Sequence, residues 1–292
     1  MQAADTDRTS SSPFHEGGLK KLRTDWFTLL SVGILLAVII ISVAAPWVSP
    51  YPYTRGDLLK RLRPPLSEGH LLGTDTLGRD LFSRILYGAR VSMAVAVIVV
   101  LIAGAFGTLL GLISGFYGGW IDRVIMRFVD MQLSFPFVIL ALTIAGILGP
   151  SFQNIIITLA VSSWVIYARL VRGEVLGIKE QQYVQAAFTL GIPNWRIMAV
   201  HILPNVLSAV IVLASLEVGR MIISEAAISF LGFGIQPPTP AWGNMLGEGR
   251  DYMTTAWWLT VFPGLAIVIT TLATNVAGDK LRDKLDPKLK LQ

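Results

Sequence analysis

Four stretches of this 292-residue chain, at 26–54, 91–121, 131–168 and 253–278, contain no Asp, Glu, Lys or Arg. A helix that crosses a bilayer needs roughly 20 predominantly apolar residues, so each stretch is long enough for one span. The third has room for nearly two, and GILGPSFQN (146–154) supplies a Gly/Pro turn to divide it. A further apolar stretch at 206–230 is interrupted by Glu217, Arg220 and Glu225. Six spans follow, near 26–48, 91–116, 124–147, 153–172, 206–229 and 257–279. A buried core helix would explain one such run but not four in one chain. Only 15% of the residues are charged, against about 25% in soluble domains, so most of the surface cannot face water. The chain reads as an all-α integral membrane protein.

The placement of Lys and Arg orients the spans. Lys20, Lys21 and Arg23 precede the first span, and Arg169, Arg172, Lys179 and Arg196 flank or occupy the segment between the fourth and fifth. Lys280, Arg282, Lys284, Lys288 and Lys290 follow the last, whereas the loops at 148–152 and 230–256 hold only Arg250 as a basic residue. Both termini are therefore expected in the cytoplasm. The organisation expected is an N-terminal tail (1–25), a first transmembrane helix (26–48), an external loop (49–90), a core of five helices (91–279) with a cytoplasmic loop at 173–205, and a C-terminal tail (280–292). The external loop dissents from the charge rule, because it carries Arg55, Lys60, Arg61, Arg63, Arg79, Arg84 and Arg90. Among the polar first 25 residues, the Ser/Gly-rich TDRTSSSPFHEGG (6–18) is expected to be disordered. The apolar run after them exceeds the core of a cleaved signal peptide, about 7–15 residues.

Several kinds of chemistry are missing. The chain has no cysteine, and His15, His70 and His201 lie in three separate regions without metal-ligand spacing. No lysine is followed by Ser or Thr, so there is no Walker A phosphate loop. The chain is not expected to be an enzyme, and any ATP must be bound by another chain. Its net charge of +5 is accounted for by basic residues flanking the spans, with no nucleic-acid partner implied. Charges inside spans are costly and often functional. Arg127 and Asp130 lie one turn apart in the third span, as do Glu217 and Arg220 in the fifth, and such i,i+3 pairs can meet on one helix face. Glu225 is expected to lack a partner in its own helix, which makes it a candidate for the translocation path or a subunit interface. Gly107, Gly111 and Gly115 make a face on which another backbone can approach closely, unless they reflect the ordinary abundance of glycine in membrane helices. Pro136 is expected to kink the third span.

The segment VQAAFTLGIPNWRIMAVHILPN (184–205) is too polar to span and too short for a domain. The periodicity predicts a helix over 179–190 with Tyr183, Ala187 and Leu190 on one face. Gly191 permits a turn. Asn194 is placed to cap a second short helix that presents Trp195, Met198 and Ala199. Pro204 marks the entry to the fifth span. A helical knuckle between two spans is a lever, since force applied to it moves both, and the small residues Ala186 and Ala187 suit a partner's groove.

The same residues resemble the "EAA" loop of the membrane subunits of bacterial ATP-binding-cassette (ABC) importers. The match is Gln185-Ala186-Ala187, Gly191 four positions later, and His201-Ile202-Leu203-Pro204. Gln185 stands where Glu is usual and His201 where Ile is usual. LGTDTLGRDLFSRILYGARVS (72–92), SEAAISFLGFGIQPPTPAWGNML (224–246) and AGDKLRDKLDPKLK (277–290) look like the branch that carries dipeptides, oligopeptides, glutathione and nickel. Within it the chain resembles the C-type permease of a peptide transport system.

That resemblance implies a type I importer permease fold in the bacterial inner membrane. It implies a coupling loop in which Gln185, Ala186, Ala187, Gly191, Trp195 and Pro204 meet an ATPase. The implied partners are a homologous B-type permease, two ATPase subunits that bind ATP and Mg, surrounding lipid, and a soluble or lipid-anchored binding protein. The binding protein would deliver cargo, most commonly peptide in this branch, to 49–90 and 230–256. Asp130, Arg127, Glu217, Arg220 and Glu225 are the candidate path residues or intramembrane pairs, with no metal site. Two rivals remain. One is an ion-coupled secondary transporter using Glu217 and Glu225, against which six spans are expected to lack broken-helix pairs. The other is a membrane scaffold with no transport.

Overall fold

A computed structural model describes residues 16–285. The expected tails at 1–15 and 286–292, with His15, Lys288 and Lys290, lie outside the described residues. The first helix, α1 (Glu16–Val48), begins well before the apolar run and includes all of the expected tail at 1–25 that is described, so residues 16–18, expected to be disordered, are helical. Residues 49–80 form turns around a short 3₁₀ segment at Leu58–Lys60. Helix α2 (Leu81–Tyr117) starts at Leu81 rather than near 91, because the Asp80 carboxylate accepts the Ser83 backbone N–H at 2.8 Å and caps it. It stops at Gly118, whose φ of +64° costs a glycine little.

The expected third span is not one kinked helix. Helices α3 (Gly119–Leu133) and α4 (Phe137–Leu148) meet at 92°. Pro136 has no N–H for an α3 continuation and disfavours helical geometry at Phe135. The chain tightens at Ser134 and Phe135, whose N–H groups donate to Met131 and Gln132 carbonyls at 3.2 Å. A broken-helix pair therefore exists where none was expected. With it the described residues hold five single spanning helices, or six spans if the bent pair counts as one.

Helix α5 (Phe152–Lys179) is capped by Ser151, which accepts the Asn154 N–H at 3.0 Å. After it come α6 (Gln182–Thr189), a single turn α7 (Asn194–Arg196) and a π-helical stretch Ile197–Ile202 that runs into α8 (Leu203–Phe230). The expected outer loop at 230–256 contains a further helix, α9 (Trp242–Gly249), and α10 (Trp258–Leu285) closes the chain past the expected boundary at 279. Helices outrun the apolar runs because polar turns continue the helix beyond the hydrocarbon core.

Helices α2 and α5 run parallel along the Gly107/Gly111/Gly115 face. A methyl group placed on Gly107 would overlap the Trp164 carbonyl oxygen, and one on Gly111 would lie 2.5 Å from that of Ala168. Only glycine permits this approach. Around the seam, Val95, Val99, Leu159, Met221, Ile222 and Trp242 form the main core. The outer faces of α2, α5 and α10 expose Leu101, Phe106, Ile157, Val268 and Leu272, the apolar exterior a bilayer requires. One end of the bundle is capped by 49–80 and α9; the other carries α6 and α7.

Candidate functional site

The knuckle at the second end is built from opposed faces. Helix α6 ends in a Schellman turn: the Gly191 N–H donates to Phe188 O at 3.0 Å and the Ile192 N–H to Ala187 O at 3.2 Å. Gly191 takes φ +72° with open space around it, so its need is conformational rather than steric. Asn194 does not cap the next turn; it is the first helical residue, behind Pro193. Pro204 lacks an N–H and its ring crowds the carbonyl one turn back, and the wide π turn just before it relieves that crowding.

Inward, Val184 and Ala187 of α6 join Ile197, Ile202 and Val206 against Leu112 and Phe116 of α2 and Val171 and Val175 of α5. Three long helices thus share one apolar joint with the knuckle. The buried residues of α6 are Val184 and Ala187, while Tyr183 and Leu190, expected on one face with Ala187, are exposed. Outward, Leu190 is 79% and Trp195 66% exposed, beside exposed Gln185 and Ala186. Gln185 also has a local role: its side-chain amide donates to the Lys179 carbonyl at 2.8 Å, at the end of α5. A Glu carboxylate cannot donate that bond. The Lys179 ammonium in turn donates to the Phe116 carbonyl at 2.7 Å, tying the ends of α5 and α2 together.

Of the two intramembrane pairs expected from sequence, Glu217 with Arg220 forms and Arg127 with Asp130 does not. Asp130 takes Arg169 of α5 at 2.6 Å instead of Arg127. Glu217 accepts from Arg220 Nε at 3.0 Å, while Nη2, 2.9 Å from the same oxygen, is too poorly aligned to donate. The Arg220 guanidinium lies 4.8 Å from the centre of the Phe137 ring, at the start of α4. Glu225 does have a partner in its own helix. Ser229 donates to one carboxylate oxygen at 2.7 Å and Ser92 of α2 to the other at 2.8 Å. With 0% exposure it lines no path in this chain but ties α2 to α8. Ser92 also accepts the Trp242 backbone N–H at 3.3 Å, which adds α9.

At the capped end lies a network the sequence reading missed. Arg84, 1% exposed, donates to Asp75 at 2.5 Å and to both Glu248 oxygens at 2.6 and 3.0 Å. Arg79 joins the same two acids at 2.6 and 3.0 Å. His70 Nδ1 sits 2.9 Å from Asp80, and Trp258 donates to the Thr74 carbonyl at 3.2 Å. Arg79 and Arg84 are thus internally neutralised, which removes two of the seven charges that dissented from the topology. The dense T-D-x-x-x-R-D spacing at 74–80 was the available signal, but Glu248 lies 164 positions from Arg84.

An all-helical bundle with such a knuckle, a broken span and a buried polar cap is the architecture of an importer membrane component. The family described as binding-protein-dependent transport system inner membrane component matches residues 107–291, and the N-terminal TM domain of oligopeptide transport permease C matches residues 12–65. The chain belongs to this family of multi-pass inner-membrane transport permeases, which are not enzymes. It is 43% identical over 97% of its length to the dipeptide transport system permease protein DppC of Alkalihalophilus pseudofirmus, covering 92% of that protein. It is 42% identical to the glutathione permease GsiD of Pectobacterium atrosepticum over 97% of this chain and 94% of the other. The same identity relates 89% of it to 87% of the probable D,D-dipeptide permease DdpC of Escherichia coli K12. A chain of the inward-facing MetNI methionine ABC transporter shares the fold, with a TM-score of 0.58 at 18% identity over 70% of this chain and 98% of the other. Family membership, rather than the expected lack of broken helices, sets the ion-coupled and scaffold alternatives aside.

Proposed function

We propose that this chain forms half of the translocation path of an ATP-driven importer for di- or oligopeptides, with a homologous B-type permease supplying the other half. Two ATPase subunits hold ATP and Mg and receive the outward face of α6 and α7. The observation that carries this reading is the two-sidedness of the knuckle: exposed Leu190 and Trp195 on one side, and an apolar joint to α2, α5 and α8 on the other. A push on the exposed side moves all three helices, which suits reciprocal coupling of nucleotide state to path opening. Lys/Arg placement supports cytoplasmic termini, so the segment at 49–80 and α9 face outward, where a soluble or lipid-anchored binding protein delivers cargo. The relatives' names favour peptide, with glutathione as the second reading.

The test is affinity purification from native membranes with an ATPase assay of the co-purifying complex. Wild type is expected to bring two ATPase chains and a second permease. Gly191→Pro cannot adopt φ +72° and is expected to lose those ATPases or their cargo-stimulated turnover while the spans persist. A protein that purifies alone would refute the reading.

A further inference from the structure

Helix α3 is sparsely covered by the rest of the bundle. Of its residues only Val129 is buried, against Val165 and Ala168 of α5. Two hollows flank its ridge of Val124, Phe128 and Met131 and share those three residues, so they form one groove. The apolar limb, about 550 Å³, is walled by Leu110, Leu140, Val161 and Trp164 from three other helices. The charged limb, about 810 Å³, lies towards the α2–α3 turn beside Trp120, Arg123, Arg127 and Arg172.

Charge in the second limb is unbalanced. Arg172 is held by Asp122 at 2.5 and 2.7 Å, and Arg169 by Asp130 at 2.6 Å. Arg123 reaches only the Gly119 carbonyl, at 3.4 Å, and Arg127 has no hydrogen-bond or ion-pair partner among the described residues. A helix from a neighbouring subunit laid along this groove would strip water from two unmatched guanidiniums, a costly step. Water alone would leave the apolar limb unused. An amphiphile with an anionic head satisfies both limbs, because guanidinium binds phosphate with paired hydrogen bonds. Basic hollows between membrane helices suit such headgroups, and tryptophan prefers the same depth.

We propose that this groove holds one anionic phospholipid of the leaflet at the α2–α3 turn, its phosphate at Arg123 and Arg127 and one acyl chain along Leu110, Leu140, Val161 and Trp164. The lipid touches α2, α3, α4 and α5 together and so braces the 92° bend. The inference goes beyond the transport reading and does not depend on cargo.

The experiment is native mass spectrometry of the purified complex, delipidated in neutral detergent and titrated with phosphatidylglycerol or phosphatidylcholine. Each basic side chain at a membrane surface is worth about fivefold in binding, so wild type should prefer phosphatidylglycerol by about 25-fold. Arg123→Gln with Arg127→Gln should reduce that preference below about threefold. Val161→Trp, which fills the apolar limb and leaves both arginines, should weaken retention of both lipids. Equal retention of the two lipids by wild type, an unchanged preference in the double variant, or unchanged retention in Val161→Trp would overturn the proposal. A single Phe128→Cys in this cysteine-free chain should react with a membrane-soluble maleimide in the lipid-free complex. Protection there would mean that a partner subunit covers the ridge, which also overturns it.

Discussion

Substituting Gly111 by Ala tests the packing on which the knuckle rests. The added methyl would lie 2.5 Å from the Ala168 carbonyl oxygen and 2.8 Å from the Val171 β-carbon. Carbon contacts settle near 3.5–4.0 Å, so α2 and α5 must separate by about 1 Å. The obstruction is backbone and a β-branched side chain, neither of which can swing aside. Overpacking of this kind costs about 1–3 kcal/mol, a factor of roughly 5–150 in the folded population. The strain does not stay local, since Val171 and Val175 also floor the joint beneath α6. The assay is the fraction of the purified complex surviving graded heating, read by size exclusion, together with ATPase activity. Gly104→Ala is the control: its methyl would meet the edge of the Tyr167 ring at 3.4 Å, which the ring can relieve. Gly111→Ala should lower the survival midpoint and loosen coupling, while Gly104→Ala should leave both near wild type. Equal behaviour of the two variants would refute the close-approach reasoning.

Further outcomes follow from the polar contacts. Arg84→Met leaves Arg79 alone to face both buried Asp75 and partly exposed Glu248, so one carboxylate loses its counter-charge, which should cost about 3–5 kcal/mol, measured as loss of folded protein in the membrane. Glu225→Ala orphans the Ser92 and Ser229 hydroxyls and should cost about 1–3 kcal/mol in the same heating assay, whereas Glu225→Gln should retain most of the stability. Gln185→Glu loses the donor to the Lys179 carbonyl. It should change cargo-stimulated ATP turnover more than heat survival, and unchanged turnover would show that this amide is incidental. Reversing Glu217 and Arg220 together should preserve uptake if they serve only each other, and complete loss would place Arg220 on the cargo.

The parts of the fold that were legible are those written locally. Uncharged runs mark spans because water exclusion acts on every residue of a helix, and Gly107, Gly111 and Gly115 mark a close approach because no other side chain is small enough. Gly191 marks a turn for a different local reason, a φ of +72° that side chains with a β-carbon disfavour. What stayed hidden depends on neighbours remote in sequence. Ser92 and Glu225 meet across 133 positions, and Asp130 prefers an arginine 39 positions away to the one on its own helix. Pro136 signalled a disturbance, but nothing local distinguishes a kink from a 92° break. Helix α9 was read as loop because its eight residues are too few and too glycine-rich to show a period.

The measurement that bears most directly on the central claim is site-specific cross-linking at the outward face of the knuckle. This chain has no native cysteine, so Leu190→Cys would be its single thiol, carried in the intact complex in native membranes and treated with a short thiol–amine cross-linker, with and without ATP, beside the wild-type complex as blank. The expected result is a product with an ATPase subunit whose yield changes with nucleotide, while a cysteine at exposed Leu59 on the capped end gives none. A product from Leu59 with the ATPase, or none from Leu190 in an active complex, would contradict the coupling role assigned to α6.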